Sequence, residues 1–124
     1  MGWERGCKMI EGLGPHETRC SLDNDYWSVA TLILASEIEM LGIKTVDPEV
    51  FNISEDYWGD MSTTAAFIEH IKRVKDCDLV HPIILSPDGR IMDGVHRICK
   101  ALIEGKQIRY VRFKKLPPAD GQIE

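Results

Sequence analysis

The chain has 124 residues, of which 44% are hydrophobic and 28% charged, and its formal net charge is −5 at pH 7. That length is enough for one domain with its own core, and the composition excludes a disordered, collagen-like or membrane-embedded chain. The N-terminal residues contain no apolar signal-peptide segment and the four cysteines are irregularly spaced, so we expect reduced thiols in a cytoplasmic protein.

The charges are unevenly distributed along the chain. Residues 1–88 contain 7 Lys or Arg and 16 Asp or Glu, whereas residues 89–116 contain 8 basic and only 2 acidic residues. Such a basic block suggests a local anion site on an otherwise acidic protein. The alternative is that these side chains are solvated charges on the polar faces of a strand and a helix.

The first half of the chain predicts little regular structure apart from one long helix. Residues 1–24 contain glycines and no periodicity, so we expect an irregular arm. A helix is predicted from Tyr26 to Leu41, capped by Asp25 and ended by Gly42. Its apolar set is broad for a surface helix and predicts either deep burial or a subunit interface, so we expect a homodimer. Residues 44–54 predict one short strand at a sheet edge, followed by a loop with an exposed Trp58.

The second half predicts a compact alternation of helices and strands. A helix from Ser62 is expected to bury Phe67, Ile71 and Val74, and the turn Ser-Pro-Asp-Gly at 86–89 predicts a hairpin. A third helix follows Gly94 and ends at Gly105. Residues 107–113 predict a strand and residues 117–124 a tail. The apolar stripe of the third helix is predicted at Val95, Ile98, Cys99, Leu102 and Ile103.

The start of the third helix carries residues that packing does not require. Both His96 and Arg97 fall outside the predicted apolar stripe, in a first turn whose backbone N–H groups are unpaired and whose dipole is positive. A bound phosphate would accept those N–H groups and pair bidentately with Arg97. Gly94 would let the phosphate approach the backbone, and Asp93 could bind a metal ion or accept a proton. The alternative is a plain capped helix with His96 and Arg97 in water.

The run HPIILSPDGRIMDGVHRICKALIEGKQIRYVRF resembles the core of the ParB/sulfiredoxin-like superfamily. In that superfamily a Pro-Ile strand, a hairpin, a strand ending in Gly-x-x-Arg, a helix and a closing strand follow in this order. The resemblance covers residues 45–116 and implies an α+β domain with a short mixed sheet, preceded here by an arm and an extra helix in 1–44 and followed by the tail 117–124. It also implies that Gly94, Val95, His96 and Arg97 contact the phosphates of ATP or CTP with Mg²⁺, and that Asp93 matches the acidic residue of the related free serine kinases.

This sequence departs from the superfamily in two places that matter for activity. Sulfiredoxins carry their nucleophilic cysteine where this chain has Val95, and Cys99 belongs to the apolar stripe, so sulfinic-acid reduction is not expected. ParB partition proteins continue into a helix-turn-helix domain, and this chain continues into the Pro-Pro tail, so a centromere-binding role is not supported.

Three functions remain open from the sequence. The first is a small nucleotide-binding phosphotransferase or hydrolase that uses Asp93 and His96 as catalytic groups. The second is a DNA-associated module or nuclease that binds through the basic region 97–115, and the third is a non-catalytic interaction protein. No membrane association and no protein-bound metal are expected. An acidic cluster at Asp47, Glu49, Glu55 and Asp56 is read as a solvated loop, with a second carboxylate near Asp93 as the alternative.

Overall fold

The computed structural model describes residues 7–9, 18–54 and 63–122. This part of the chain is an α+β fold with three α-helices and two four-stranded sheets, which confirms the expected class. The strands are β1 (Cys7–Met9), β2 (Thr18–Leu22), β3 (Asp25–Ser28), β4 (Lys44–Val46), β5 (Ile83–Leu85), β6 (Ile91–Asp93), β7 (Ile108–Arg112) and β8 (Gly121–Gln122). The helices are α1 (Val29–Ile38), α2 (Thr64–Asp76) and α3 (Val95–Glu104), with a short 3₁₀ helix at Pro48–Val50.

The central sheet has the strand order β4-β7-β5-β6 and is mixed, as expected. Strands β5 and β6 form the predicted antiparallel hairpin, and α3 then carries the chain back so that β7 pairs with β5 in parallel. All three residues of β5 are buried, which is typical of a strand covered on both faces. Strand β4 lies at the edge of the sheet, as the sequence predicted.

Two apolar layers cover the two faces of this sheet. One layer joins the central sheet to the second sheet and to α1, and the other joins it to α3. The strand β6 is therefore covered on both faces, and α3 packs against one of them. The first layer contains Cys20, Leu22, Trp27, Leu32, Ile84, Met92, Val111 and Phe113; the second contains Ile83, Leu85, Ile91, Val95, Ile98, Ala101 and Ile108.

The second sheet, of order β1-β2-β3-β8, was not predicted from the sequence. Its strands β1 and β2 lie in the stretch expected to be an irregular arm, and its strand β8 lies in the expected tail. The hairpin between β2 and β3 turns at Asp23 and Asn24, both with positive φ, which these two residue types tolerate. The tail is fixed because β8 pairs with β3 and the Trp27 indole N–H donates to the Pro117 carbonyl over 2.9 Å.

Helix α1 begins three residues later than predicted. Residues Asp25–Ser28 are the strand β3, so Asp25 does not cap the helix; the Ser28 hydroxyl caps it by accepting the Thr31 N–H over 3.1 Å. Asp120 from the tail adds a second contact, since its carboxylate accepts the Ser28 N–H and the Thr31 hydroxyl. The pairing of Asp25–Ser28 with β2 overrides their local helix signal.

Helices α2 and α3 confirm their predicted positions but not all of their predicted buried residues. The only fully buried residue of α2 is His70, whereas the expected core residues Phe67 and Ile71 are about half exposed. In α3, Ile98 is buried and Leu102 partly buried, but Ile103 is 77% exposed. The predicted loop with Trp58 lies outside the described residues.

Helix α1 carries apolar side chains that this fold leaves in contact with solvent. Leu32 is fully buried, while Ile33, Leu34 and Ile38 are each at least 45% exposed. The homodimer expected from this helix stays a prediction, which light scattering would test.

In the described residues no helix is long and apolar enough to cross a bilayer.

Candidate functional site

The turn between β6 and α3 is built around Gly94. This residue has φ +114° and is the N-cap of α3. A Cβ at this position would lie 2.8 Å from the Cβ of Ile83, so the turn packs directly on the neighbouring strand β5. The sequence suggested that Gly94 allows a ligand to approach; the structure shows that its missing side chain makes room for Ile83.

Asp93 and Arg97 form an ion pair across this turn. The Arg97 Nη2 donates to the Asp93 Oδ2 over 2.8 Å and is 3.4 Å from the Pro82 carbonyl oxygen. The two side chains are only 17% and 18% exposed, so Arg97 is mostly buried in this ion pair, and the alternative that places Arg97 in water is wrong. The i,i+4 spacing draws the guanidinium back over Gly94 instead of letting it extend into water. The buried Nε of Arg97 finds no acceptor among the described residues.

The N-terminus of α3 has no side-chain cap. Gly94 has no side chain with which to cap it, and the first turn of α3 contains no acidic residue. Val95 is buried in the core, so only its backbone is available to a ligand. The positive end of the helix dipole and the N–H groups of the first turn are therefore not offset by a carboxylate of their own turn.

His96 is paired with His70 of α2. The His70 Nδ1 lies 2.9 Å from the His96 Nε2, and the two rings are stacked with centroids 5.1 Å apart. Burial, followed by the charges of His70, Arg73 and Arg97, lowers the pKa of His96 to about 3. Burial and Arg73 also lower the pKa of His70. Both imidazoles are thus neutral at physiological pH.

A cleft of about 1070 Å³ opens beside this turn and brings the site residues together. Asp93, Gly94, His96 and Arg97 all line it, whereas Val95 does not. The apolar part of its lining comes mainly from α1 and the segment after it, and much of the charged part comes from α2. The apolar residues are Val29, Ile33, Met40, Leu41, Ile43, Ile84 and Val111, and the charged residues of α2 are Glu69, Lys72, Arg73 and Asp76.

The cleft is mixed in charge. Besides Arg97 its cations are Lys72 and Arg73, and its carboxylates include Glu37 and Asp78 as well as those of α2 and Asp93. Among the described residues no group of three His, Cys, Asp or Glu side chains is arranged to hold a metal ion. A magnesium ion here would therefore need oxygen ligands from a phosphate, which is how Mg²⁺ commonly binds nucleotides in proteins.

Several cations of the basic block donate hydrogen bonds within the chain. Lys100 donates to the carbonyl oxygens of Lys75 and Cys77, at the end of α2, over 2.9 and 2.7 Å. Arg109 donates to the Val80 carbonyl, Arg112 donates to the Pro87 carbonyl, and Lys106 pairs with Glu104. Arg109 and Arg112 thus connect loops to the central sheet, while their charges are retained, and the DNA-binding alternative stays a prediction.

Two thiols near the site are poor nucleophiles. Cys99 packs against the core layer under α3, as predicted, and burial raises its pKa. Burial also raises the pKa of Cys77, whose Sγ–H donates to the Val74 carbonyl. Asp47 accepts a bond from Gln107 and does not line the cleft, and Glu55 and Asp56 lie outside the described residues.

The sequence did not predict that α2 belongs to the site. No sequence pattern connects His70, Lys72 or Arg73 with the turn at the start of α3. His70 lies 26 positions from His96, and only the packing of α2 on α3 brings them together. Comparisons with protein-family models, with curated proteins and with solved structures find no match to this chain.

Proposed function

We propose that this chain is a nucleotide-binding domain of the ParB/sulfiredoxin-like kind, which holds the phosphates of ATP or CTP, with Mg²⁺, at the Asp93–Arg97 turn. The observation that carries the proposal is the uncapped N-terminus of α3, which opens together with Arg97 into a cleft of about 1070 Å³. A helix N-terminus of this kind favours phosphate through its N–H groups and its dipole.

Arg97 would supply the charge-assisted contact to the phosphate. Asp93 engages its Nη2, and no described acceptor is recorded for its Nη1, so Nη1 would donate to the phosphate. Because Asp93 and Pro82 fix the side chain over the turn, little conformational entropy would be lost when a phosphate binds.

The two walls of the cleft fit the two parts of a nucleotide. The phosphates would lie against the turn and near Lys72 and Arg73 of α2, and the base would lie against the aliphatic wall that Ile33 and Leu41 help to form. The helix α1, which lies outside the resemblance, thereby acquires a role as the wall that holds the base.

The order of elements supports the superfamily assignment. A strand after Pro82, a hairpin, Gly94 and Arg97 at a helix start, and a parallel closing strand occur in the order that the superfamily shows. For turnover, Asp93 is the carboxylate nearest the phosphate position, so it would orient Mg²⁺ or accept a hydroxyl proton. His96, with its pKa near 3, is a weak base and serves better as a phosphate contact.

Calorimetric titration of ATP and CTP, each with MgCl₂, tests the proposal. We expect wild type to bind one of them, and Arg97→Gln to bind it about ten- to a hundredfold more weakly, the loss of one charge-assisted contact. Gln keeps a donor for Asp93, so thermal unfolding should confirm that this variant folds. Arg90→Gln is the matched control, since Arg90 also pairs with an aspartate but does not line the cleft.

Two results would contradict the proposal. One is a wild type that binds no nucleotide with or without Mg²⁺. The other is equal affinity in wild type and Arg97→Gln, which would leave the turn as a structural feature only. Salt-sensitive binding to duplex DNA without nucleotide binding would favour the DNA alternative instead.

A further inference from the structure

Two sides of helix α1 are used within this chain. On the first side, Leu32 is fully buried in the core layer that joins the central sheet to the second sheet. On the second side, Val29, Ile33 and Ser36 line the cleft. A third side of the helix belongs neither to the core nor to the cleft.

This third side carries a row of three apolar residues, Ala30, Leu34 and Ile38. Because they are spaced four residues apart, their side chains follow one another along one face of the helix. All three are exposed, Leu34 by 58% and Ile38 by 72%, and none of them lines the cleft. The row is therefore an apolar surface separate from the proposed nucleotide site.

We propose that this row is the contact between two copies of the chain, which pack α1 against α1 in antiparallel orientation with Leu34 at the two-fold axis. The row is self-complementary in this orientation. Leu34 meets its counterpart, and the small Ala30 of each copy lies opposite the large Ile38 of the other. The inference does not depend on the proposed function, because the row lies outside the cleft.

The exposed apolar area is close to what a modest dimer needs. Ile33 and Met40 flank the row and are 45% and 87% exposed. Together with Leu34 and Ile38 they expose on the order of 500 Å² in each copy, so two copies would bury about 1,000 Å², near the lower limit for a specific interface. Apolar residues also occur on all sides of α1, a pattern typical of helices that are covered all round.

The charges of α1 favour an antiparallel second copy over a parallel one. Glu37 and Glu39 are both exposed at the C-terminal end of the helix, where the dipole is already negative and no basic residue is present. Parallel packing would place these carboxylates beside their counterparts, whereas antiparallel packing separates them. The helix contains no Lys or Arg, which does not fit a helix that binds an anionic membrane surface.

Sedimentation velocity over a concentration series tests the contact. We expect wild type to dimerise with a dissociation constant in the micromolar range, since the interface is small. Leu34→Lys should weaken dimerisation at least about a hundredfold, because it would place two ammonium groups in an apolar contact. Ile103→Lys is the matched control, since Ile103 is 77% exposed but lies on α3, and it should dimerise as wild type does. Circular dichroism checks that each variant folds, and Ile38→Lys is the second variant if Leu34→Lys does not.

Disulfide trapping with oxidised glutathione tests the orientation. Leu34→Cys should form a disulfide-linked dimer, because its two copies meet at the two-fold axis. Ile38→Cys should not, because in the antiparallel pair its two copies lie about 12 Å apart along the helix axis, beyond the reach of a disulfide. Wild type treated in the same way gives the background from the native cysteines.

Three results would overturn the inference, and each leaves the nucleotide proposal intact. One is a wild type that stays monomeric up to about 0.5 mM, whether or not it binds phosphatidylcholine vesicles. Another is a dimer that neither Leu34→Lys nor Ile38→Lys weakens, which would place the contact on a different surface. The third is equal disulfide linking of Leu34→Cys and Ile38→Cys, which would mean a parallel pair.

Discussion

Two neighbouring turns of this molecule have the same chemical parts in different surroundings. The hairpin turn contains Gly89 with φ +86° and pairs Asp88 with Arg90 over 3.0 Å. Five residues after Asp88 and Gly89 in the chain, Asp93 and Gly94 begin the turn at the start of α3, which again pairs an aspartate with an arginine around a glycine of positive φ. Composition alone does not distinguish the two turns.

Burial does distinguish them. The Asp88 side chain is 61% exposed, and a Cβ on Gly89 would meet nothing within 4 Å. The Asp93–Arg97 pair is mostly buried, Gly94 packs on Ile83, and a cleft opens beside the turn. An ion pair at a turn is thus a candidate site only where the surrounding fold desolvates it and leaves room for a ligand. The following predictions test how far the two turns differ.

The largest difference in stability between the two turns should come from replacing their glycines with alanine. Gly94→Ala forces a Cβ against Ile83 at a positive φ, and we expect a loss of about 3–4 kcal/mol in the free energy of unfolding. Gly89→Ala adds only backbone strain, and we expect a loss of about 1–2 kcal/mol in the free energy of unfolding. Urea denaturation of the two variants gives the comparison, and equal losses would show that packing at Gly94 is loose.

The second prediction concerns the loss of folding stability at low pH. The folded-state pKa of His96 is about 3 against an ordinary 6.5, so the unfolded chain takes up a proton first as the pH falls. The contribution of the neutral ring to the free energy of unfolding is fully present above pH 6.5. It is lost progressively as the pH falls towards 3, by about 2–3 kcal/mol over the first two pH units. Urea denaturation from pH 7 to pH 4.5 should show a flatter dependence for His96→Gln than for wild type. The same pH dependence of stability in wild type and His96→Gln would contradict a buried neutral His96.

The third prediction compares the two carboxylates. Asp93→Asn leaves the guanidinium of Arg97 without its charged partner in a mostly buried position, and we expect a loss of about 1.5–3 kcal/mol. Asp88→Asn removes an exposed pair and should cost less than about 1 kcal/mol. Thermal and urea denaturation of both variants at pH 7 test the ranking; a larger loss for Asp88→Asn would reverse the contrast drawn between the turns.

The smallest effect is expected for Arg90→Gln. The pKa of Asp88 is held below its ordinary value first by the Ser86 hydroxyl, and the bond and charge of Arg90 contribute less. The substitution should therefore raise the pKa of Asp88 only slightly, as measured by carboxyl NMR titration, and change stability by about 0.5 kcal/mol or less. A return of the Asp88 pKa to its ordinary value would mean that Arg90, and not Ser86, dominates.

Local sequence signals predicted the part of the fold that is made by neighbouring residues. The turn chemistry of 86–89 predicted the β5–β6 hairpin, and the glycines at 94 and 105 predicted both ends of α3. The second sheet was missed because its decisive pairing, β3 with β8, joins residues more than ninety positions apart. The pairing of β3 with β2 made Asp25 a strand residue and moved the start of α1.

Of the site, the sequence predicted only the residues that lie close together in the chain. Asp93, Gly94, His96 and Arg97 are brought together by one helical turn, so their spacing was informative. The contribution of α2, above all His70, depends on helix packing that no short motif records. The sequence also does not show that Arg109 and Arg112 of the basic block donate to backbone carbonyls, because both contacts join residues at least 25 positions apart.

The attachment of residues 117–122 to α1 and β3 has a consequence for how the protein is made. The Pro117 carbonyl, the Asp120 carboxylate and β8 fix the base of the helix that walls the cleft, and they follow every other described element in the chain. These contacts can form only after residues 117–122 have left the ribosome. The wall that α1 contributes to the cleft is therefore completed after every other described element has been synthesised.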